Sequence, residues 1–103
     1  MEILSSHREG TACLELHGEL DIGAAPALEK AVSSALDDGC REVVLDLAGT
    51  TFIDSAGLGA LLSAARTVDA RQARMAVRSP PGSEARVLLE MSRTGGVVGL
   101  QDP

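Results

Sequence analysis

The residues best suited to chemistry form one short run in the middle of the chain. It reads Asp54-Ser55-Ala56-Gly57-Leu58-Gly59, a serine with an acidic neighbour and two close glycines. A phosphate-binding loop would need Gly-Lys-Ser or Gly-Lys-Thr, and a dinucleotide fingerprint would need a glycine where Leu62 stands. A hydrolase nucleophile elbow would need glycine in place of Ile53 and a later histidine, whereas His7 and His17 both come earlier. The run therefore matches none of these three catalytic or nucleotide-binding motifs.

Two interpretations of the serine remain open. Asp54 or Ser55 can cap the helix that follows, since both residue types are favoured at that position. Alternatively, Ser55 can carry a phosphate, because a helix N-terminus presents free N–H groups and partial positive charge. The two glycines favour a functional role. In a chain rich in alanine they indicate either close backbone approach or a bare surface.

The first elements that position this run are a hairpin and a helix. Residues 3–8 and 12–17 have the composition of strands, and the turn residues between them predict a hairpin. Residues 18–23 are expected to form a loop or a short extension of the second strand. A helix is predicted to begin near Pro26, which suits a first helical position, and to end before Gly39.

A strong strand and a second helix flank the run itself. Residues 42–47 have a continuous apolar centre, which indicates burial on both faces of a sheet. Residues 48–53 are expected to continue as a bend and an extended piece. The second helix follows Asp54 and Ser55, and its apolar stripe consists of Leu58, Leu61, Leu62, Ala65 and Val68.

The remaining pattern predicts one more strand and helix, and then a short last strand. Residues 74–77 form the strand, and Ser83 can cap a helix that reaches about Met91. Val97 and Val98 are expected to form the last strand, and residues 101–103 to fray. The order β-β-α-β-α-β-α-β predicts an α/β fold in which crossover helices follow a leading hairpin.

Length and charge limit the classes of function. The chain has 103 residues and a formal net charge of −6, so we expect one domain over residues 1–103, since a domain usually has ~150 residues. The negative charge argues against non-specific nucleic-acid binding and a polybasic membrane anchor. The single aromatic residue argues against base stacking. No leader segment and no apolar run of ~18 residues is visible, so we expect a soluble, cytoplasmic protein.

The cysteines and histidines form no metal or redox motif. Cys13 and Cys40 lie far apart in the sequence, and we expect two small buried thiols in preference to a disulfide. His7 and His17 lie on predicted strands without zinc-type spacing around them. We therefore expect neither a metal nor a cofactor.

The central run and the strand before it resemble the signature of a known family. Asp54–Gly59, preceded by the apolar strand at 43–47 and by Phe52-Ile53, is similar to the signature of STAS-domain anti-sigma factor antagonists. The segment Gly18-Glu19-Leu20-Asp21 before a helix resembles that family's second landmark. The resemblance extends from the first strand to about Ser92. It implies an α/β fold of the STAS type, with a small mixed sheet and helices packed on one face.

The resemblance implies a partner-switching regulator that is not an enzyme. In that family the unmodified antagonist binds an anti-sigma factor, often a serine kinase, so that a sigma factor is released. The kinase phosphorylates the serine directly after the aspartate, which in this chain is Ser55, while ATP, magnesium and the base belong to the kinase. A phosphatase would be a further partner. The implied partner-binding residues are Asp21, Asp54, Ala56, Gly57, Leu58 and Gly59.

Two residues of the run carry further expectations, and other functions remain as alternatives. Ala56 stands where the family often has Ser or Thr, so Ser55 is the one acceptor in the run. Gly57 is expected to be bare so that a partner backbone can approach it, or else to adopt a left-handed backbone angle. The other candidate functions are a STAS subunit of a transporter complex, a stress-sensing scaffold, and an enzyme or small-ligand binder.

Overall fold

A computed structural model describes residues 1–102, and Pro103, the last residue of the segment expected to fray, lies outside the described residues. Within residues 1–102 the chain forms five strands and four helices. They are β1 (Glu2–Arg8), β2 (Thr11–Leu20), α1 (Ala25–Asp37), β3 (Glu42–Asp46), β4 (Thr50–Ile53), α2 (Ser55–Ala70), β5 (Arg74–Arg78), α3 (Glu84–Met91) and α4 (Gly95–Val98).

The sheet is mixed, as expected, and its main strand order is β1-β2-β3-β5. The hairpin prediction is confirmed: β1 and β2 pair antiparallel, with Glu2 opposite His17 and Arg8 opposite Thr11. β2 and β3 pair parallel, as do β3 and β5. β4 pairs parallel with the last residues of β2. Thus β2 holds the sheet together, because three strands pair with it.

The hydrophobic core lies between one face of the sheet and the helices, which confirms the expected packing on one face. In β2, side chains alternate between the two faces, and Ala12, Leu14 and Leu16 are fully buried. One core cluster joins the sheet to the helices. The helical residues in it include Leu28, Val32, Ala35 and Leu36 of α1, Leu61, Ala64, Ala65 and Val68 of α2, Ala85 and Leu89 of α3, and Val98 of α4.

The central strand β3 is buried on both faces, as its composition predicts, but for two different reasons. Val43 and Leu45 belong to the core cluster beneath the helices. Val44 points to the opposite face and is only 4% exposed. In the sheet it stands between Cys13 of β2 and Ala76 of β5. Val44 is therefore buried although it lies outside the core cluster.

The first two helices follow their predicted pattern. Pro26 lies in the first turn of α1, where its missing N–H removes no helical hydrogen bond. Gly39 adopts the left-handed angle expected after this helix, with φ of +92°. In the segment from 18 to 23, β2 continues to Leu20 before the chain turns. The extended piece before α2 is the strand β4.

The expected last strand at Val97 and Val98 is wrong. These valines end the short helix α4, and Val98 is fully buried. β-branched residues favour strands in general, but here Val98 is buried in the core as the last residue of a helical turn. Gly99 then takes φ of +78°, and its carbonyl accepts a hydrogen bond from the Val77 N–H. The segment after α4 therefore lies along the edge of β5.

Candidate partner-binding site at the start of the second helix

Two aspartates mark the point where neighbouring parallel strands end. Leu20 of β2 is paired with Ile53 of β4, and the next residues along the chain are Asp21 and Asp54. Because the strands run parallel, both aspartates lie at the carboxyl-terminal end of the sheet. Ligand and partner sites of α/β proteins commonly form at the carboxyl ends of parallel strands. The fold thus brings together the two landmarks that are far apart in the sequence.

Asp54 is the N-cap of α2. Its backbone is extended, with φ of −120° and ψ of −172°. Its carboxylate Oδ1 accepts a hydrogen bond of 2.8 Å from the Gly57 N–H, and its carbonyl accepts one of 2.9 Å from the Leu58 N–H. This settles which of the two candidate residues caps the helix. An acidic cap also suits the partial positive charge of a helix N-terminus.

Ser55 is consequently left free for other chemistry. It is the first helical residue and is exposed. Among residues 1–102 its hydroxyl has no hydrogen-bond partner. The expectation of an exposed Ser55 above a buried helix face is confirmed, since Leu61 and Ala65 are buried. Leu62 differs, because it is only half-buried at the margin of the core.

Asp21 builds the turn that leads into α1. Its Oδ1 accepts hydrogen bonds from the N–H groups of Gly23, at 3.0 Å, and Ala24, at 3.2 Å. Its own carbonyl accepts a hydrogen bond from the Ala24 N–H at 3.1 Å. This is the usual way in which an aspartate stabilises a turn. Asp21 therefore shapes the loop beside Asp54 and carries a half-buried negative charge there.

The expectation that Gly57 is bare at the surface is wrong. It is buried, and an added Cβ would lie 1.9 Å from the carbonyl oxygen of Leu20, which is backbone and cannot move aside easily. Its φ is also not in the left-handed region. The glycine is needed because the first turn of α2 presses against the end of β2.

The bare position belongs to the second glycine. Gly59 is exposed, and an added Cβ there would meet nothing within 4 Å. Leu58, between the two glycines, is half-buried and packs against the core, and Ala56 is also half-buried. The outward surface of this turn consequently consists of Ser55, Gly59 and the exposed parts of Ala56 and Leu58.

Two exposed apolar side chains near these landmarks were missed by the sequence pattern. Ile22, in the turn held by Asp21, is 77% exposed, and Phe52 of β4 is 39% exposed. An isolated apolar residue in a loop has no periodicity that would reveal it. For Ile22, the sequence offers only its position between Asp21 and Gly23, the residues that form the turn. Of the two, Phe52 is of a residue type that is enriched in protein interfaces.

Other kinds of site receive no support from the described residues. Within 1–102 no group of three His, Cys, Asp or Glu side chains comes together as a metal site. Cys13 and Cys40 are both free thiols, the first half-buried and the second buried. His7 and His17 lie on strands as expected, with His7 3.9 Å from Asp38 and His17 3.4 Å from Glu15. No helix in the described part of the chain is long and apolar enough to cross a bilayer.

The family model of the STAS domain matches residues 2–97. The chain belongs to the STAS domain family. The Paenibacillus polymyxa protein named anti-sigma F factor antagonist is 29% identical over 105 residues, a match covering 99% of this chain and 87% of that protein. The similarity therefore extends over nearly the whole of this chain and most of a protein named as an anti-sigma factor antagonist.

Solved structures show the same fold. The anti-sigma factor antagonist SpoIIAA in its unphosphorylated form has a TM-score of 0.78 at 23% identity, over 99% of this chain and 88% of that one. The phosphorylated form of SpoIIAA from Bacillus has a TM-score of 0.73 at 22% identity, over 99% of this chain and 91% of that one. The STAS fold, with its mixed sheet and leading hairpin, is therefore confirmed.

Proposed function

We propose that this STAS domain, spanning residues 1–103, is a cytoplasmic switch that binds an anti-sigma factor while Ser55 is unmodified and releases it when Ser55 is phosphorylated. The observation that carries the proposal is the exposed Ser55 hydroxyl, left free because Asp54 caps the helix. The similarity to proteins named as anti-sigma factor antagonists supports the partner class. SpoIIAA has been solved in phosphorylated and unphosphorylated forms, which supports the modification.

The contact surface would comprise two segments at the same edge of the sheet. One is the outward part of the α2 turn, with Ser55, Ala56, Leu58 and Gly59. The other is the Asp21 turn, where Ile22 offers an apolar contact that is 77% exposed. Asp21 and Asp54 hold these segments in shape, and Gly57 lets α2 lie close to β2. The partner-binding role of Gly57 is therefore indirect.

Phosphorylation would act through charge at this surface. A phosphate on Ser55 adds about −1.5 to −2 charge beside the Asp54 carboxylate. The helix N-terminus offsets typically 0.3–1 kcal/mol of that repulsion, so the fold should persist. A partner packed over Leu58 and Gly59 would instead have to desolvate a dianion. A penalty of about 3 kcal/mol would weaken binding more than 100-fold.

The transfer itself would need no catalytic residue from this chain. The partner would be an anti-sigma factor that is also a serine protein kinase, and it would supply ATP, magnesium and the base. The chain would supply an accessible hydroxyl on a rigid helix start. A phosphatase would return Ser55 to its unmodified state.

To test this, the chain is incubated with magnesium, ATP and a kinase-type anti-sigma factor of the organism that produces it. The intact mass of the chain and its affinity for the anti-sigma factor are measured before and after. We expect one added phosphate on the wild-type chain, with a binding constant at least 100-fold weaker afterwards. Ser55→Ala should bind normally and remain unmodified. Ser63→Ala is the matched control, because Ser63 is also exposed on α2 and should leave the labelling unchanged.

Labelling of Ser55→Ala at the wild-type level would show that the acceptor lies elsewhere. Neither binding nor labelling with any kinase-type anti-sigma factor of that cell would favour the alternative, a STAS subunit of a transporter complex or a stress-sensing scaffold.

A further inference from the structure

The two outer edges of the main sheet differ in how they are covered. On the β5 edge, the Val77 N–H donates to the Gly99 carbonyl and the Gln101 N–H donates to the Val77 carbonyl. On the other edge, β1 is seven residues long and within residues 1–102 pairs only with β2. An outer strand of this length, with neither proline nor a bulge, can accept another strand.

Partly apolar surface accompanies this open edge on both faces of the sheet. On the helix side, a groove of about 390 Å³ lies between β1 and α1, and its lining combines Met1, Ile3 and two alanines of α1 with Ser5, Lys30 and Ser34. On the opposite face, Leu4 is 47% exposed. A strand added to β1 would cover both the groove and the leucine.

The sequence of β1 is complementary to itself when two copies run antiparallel. Backbone groups along a strand point alternately to its two sides, so a two-fold pairing must be centred on a single residue. Centred on Ser5, the pairing uses all seven residues and sets Glu2 opposite Arg8 of the partner subunit, twice per dimer. A pairing centred on Leu4 places Glu2 opposite the partner's Ser6. A pairing centred on Ser6 places Arg8 opposite the partner's Leu4. In either case both charge pairs are lost.

We infer that the free chain forms a symmetric dimer through antiparallel pairing of β1 with β1 of a second copy, centred on Ser5. The two sheets then continue as one, and the helices of both copies lie on the same face. Two pairs between Glu2 and the partner's Arg8 fix the register. This surface uses none of the residues proposed to bind the anti-sigma factor.

The experiment measures the dimerisation constant of the full chain by sedimentation equilibrium over a wide range of concentrations. Opposite charges across a strand pair are favourable and like charges unfavourable. Glu2→Arg and Arg8→Glu should each weaken the dimer about tenfold or more, since each creates two like-charge pairs. The double variant restores both opposite pairs and should return to within about threefold of wild type.

Arg66→Glu is the matched control, because it makes the same change in net charge as Arg8→Glu at an exposed position on α2. It should leave the dimer unchanged. Thermal melting of each variant checks that β1 still pairs with β2. A monomer at every concentration would overturn the inference, as would single variants that dimerise like Arg66→Glu or a double variant that stays weak.

Discussion

The second and third helices begin with the same arrangement of groups, but the serine at the start of α2 has an exposed, free hydroxyl, whereas the serine at the start of α3 is hydrogen-bonded. α2 begins Asp54-Ser55-Ala56-Gly57, and α3 begins Ser83-Glu84-Ala85-Arg86. In each helix the cap side chain accepts a hydrogen bond from the third helical N–H. The differences therefore come from which residue occupies each of the four positions.

The identity of the cap decides whether a serine is available. The Ser83 hydroxyl accepts a hydrogen bond from the Arg86 N–H at 3.2 Å and lies within hydrogen-bond distance, 2.8 Å, of the Ser79 hydroxyl. This hydroxyl is therefore engaged by two groups of the protein. In α2 an aspartate does the capping, and the serine moves one position into the helix, where its hydroxyl faces solvent. A serine near a helix start is thus a candidate acceptor only when another residue caps the helix.

The third helical residue anchors each start in an opposite way. Gly57 has no side chain, and this lets α2 contact the Leu20 carbonyl. Arg86 is a buried long side chain that is only 6% exposed. Its Nε donates to the Ser79 carbonyl at 2.7 Å, and its Nη2 donates to the Gln101 carbonyl. One helix start is held by close approach, and the other by hydrogen bonds to two loops.

The largest effect is expected from Gly57→Ala. The added methyl would meet the backbone of Leu20 at 1.9 Å, so α2 or β2 must shift. Overpacking of this kind typically destabilises a protein by 1–3 kcal/mol, and we expect about 3 kcal/mol because the neighbour is backbone. Chemical denaturation measures the change in unfolding free energy.

Gly59→Ala provides the control for that variant. Its Cβ has open space, so higher helix propensity should stabilise the domain by up to about 1 kcal/mol. Equal stability of the two alanine variants would contradict the assigned anchoring role of Gly57.

A smaller loss of stability is expected from Arg86→Met. Methionine retains much of the packing volume but leaves the Ser79 and Gln101 carbonyls without their charged donor. Hydrogen bonds to charged groups contribute roughly 1.5–3 kcal/mol, and we expect a loss of about 2 kcal/mol on denaturation. Arg66→Met, at an exposed position, should change stability by less than about 0.5 kcal/mol. If both variants lost equally little, the two carbonyl contacts would not anchor α3.

Most of the fold could be predicted because its signals are local. The hairpin follows from turn residues between two short strands, and α1 and α2 follow from apolar stripes with caps at their ends. The errors have a different origin. Val97 and Val98 have strand propensity, but they lie in α4, where Val98 packs in the core and the left-handed Gly99 then leads the chain back along β5. These are contacts between distant parts of the chain, which the local pattern does not contain.

For the candidate site, the sequence indicated the residues but not all of their roles. The motif located Asp54 and Ser55, and helix capping could be foreseen from residue types alone. The role of Gly57 depends on the Leu20 carbonyl, which is 37 positions earlier in the numbering of the chain and is brought close only by the pairing of β2 with β4. The exposure of Ile22 likewise depends on the turn that Asp21 holds.

The smallest change in stability is expected from Ser55→Glu, which gives α2 the acidic first residue that α3 already has in Glu84. A negative charge at a helix start is favourable by about 0.3–1 kcal/mol, but in α2 it stands next to the charged cap Asp54, whereas Ser83 is neutral. The two terms largely cancel, so stability should change by less than about 0.5 kcal/mol.

Ser55→Gln is the matched neutral variant, and the difference in stability between the two variants should shrink with added salt because exposed charges are screened. Affinity for the anti-sigma factor should respond strongly where stability does not, and Ser55→Glu should bind about tenfold more weakly than Ser55→Gln. That factor corresponds to about 1.4 kcal/mol. A loss of stability above about 1 kcal/mol for the glutamate variant alone would show that this helix start cannot accept the added charge that the proposed switch requires.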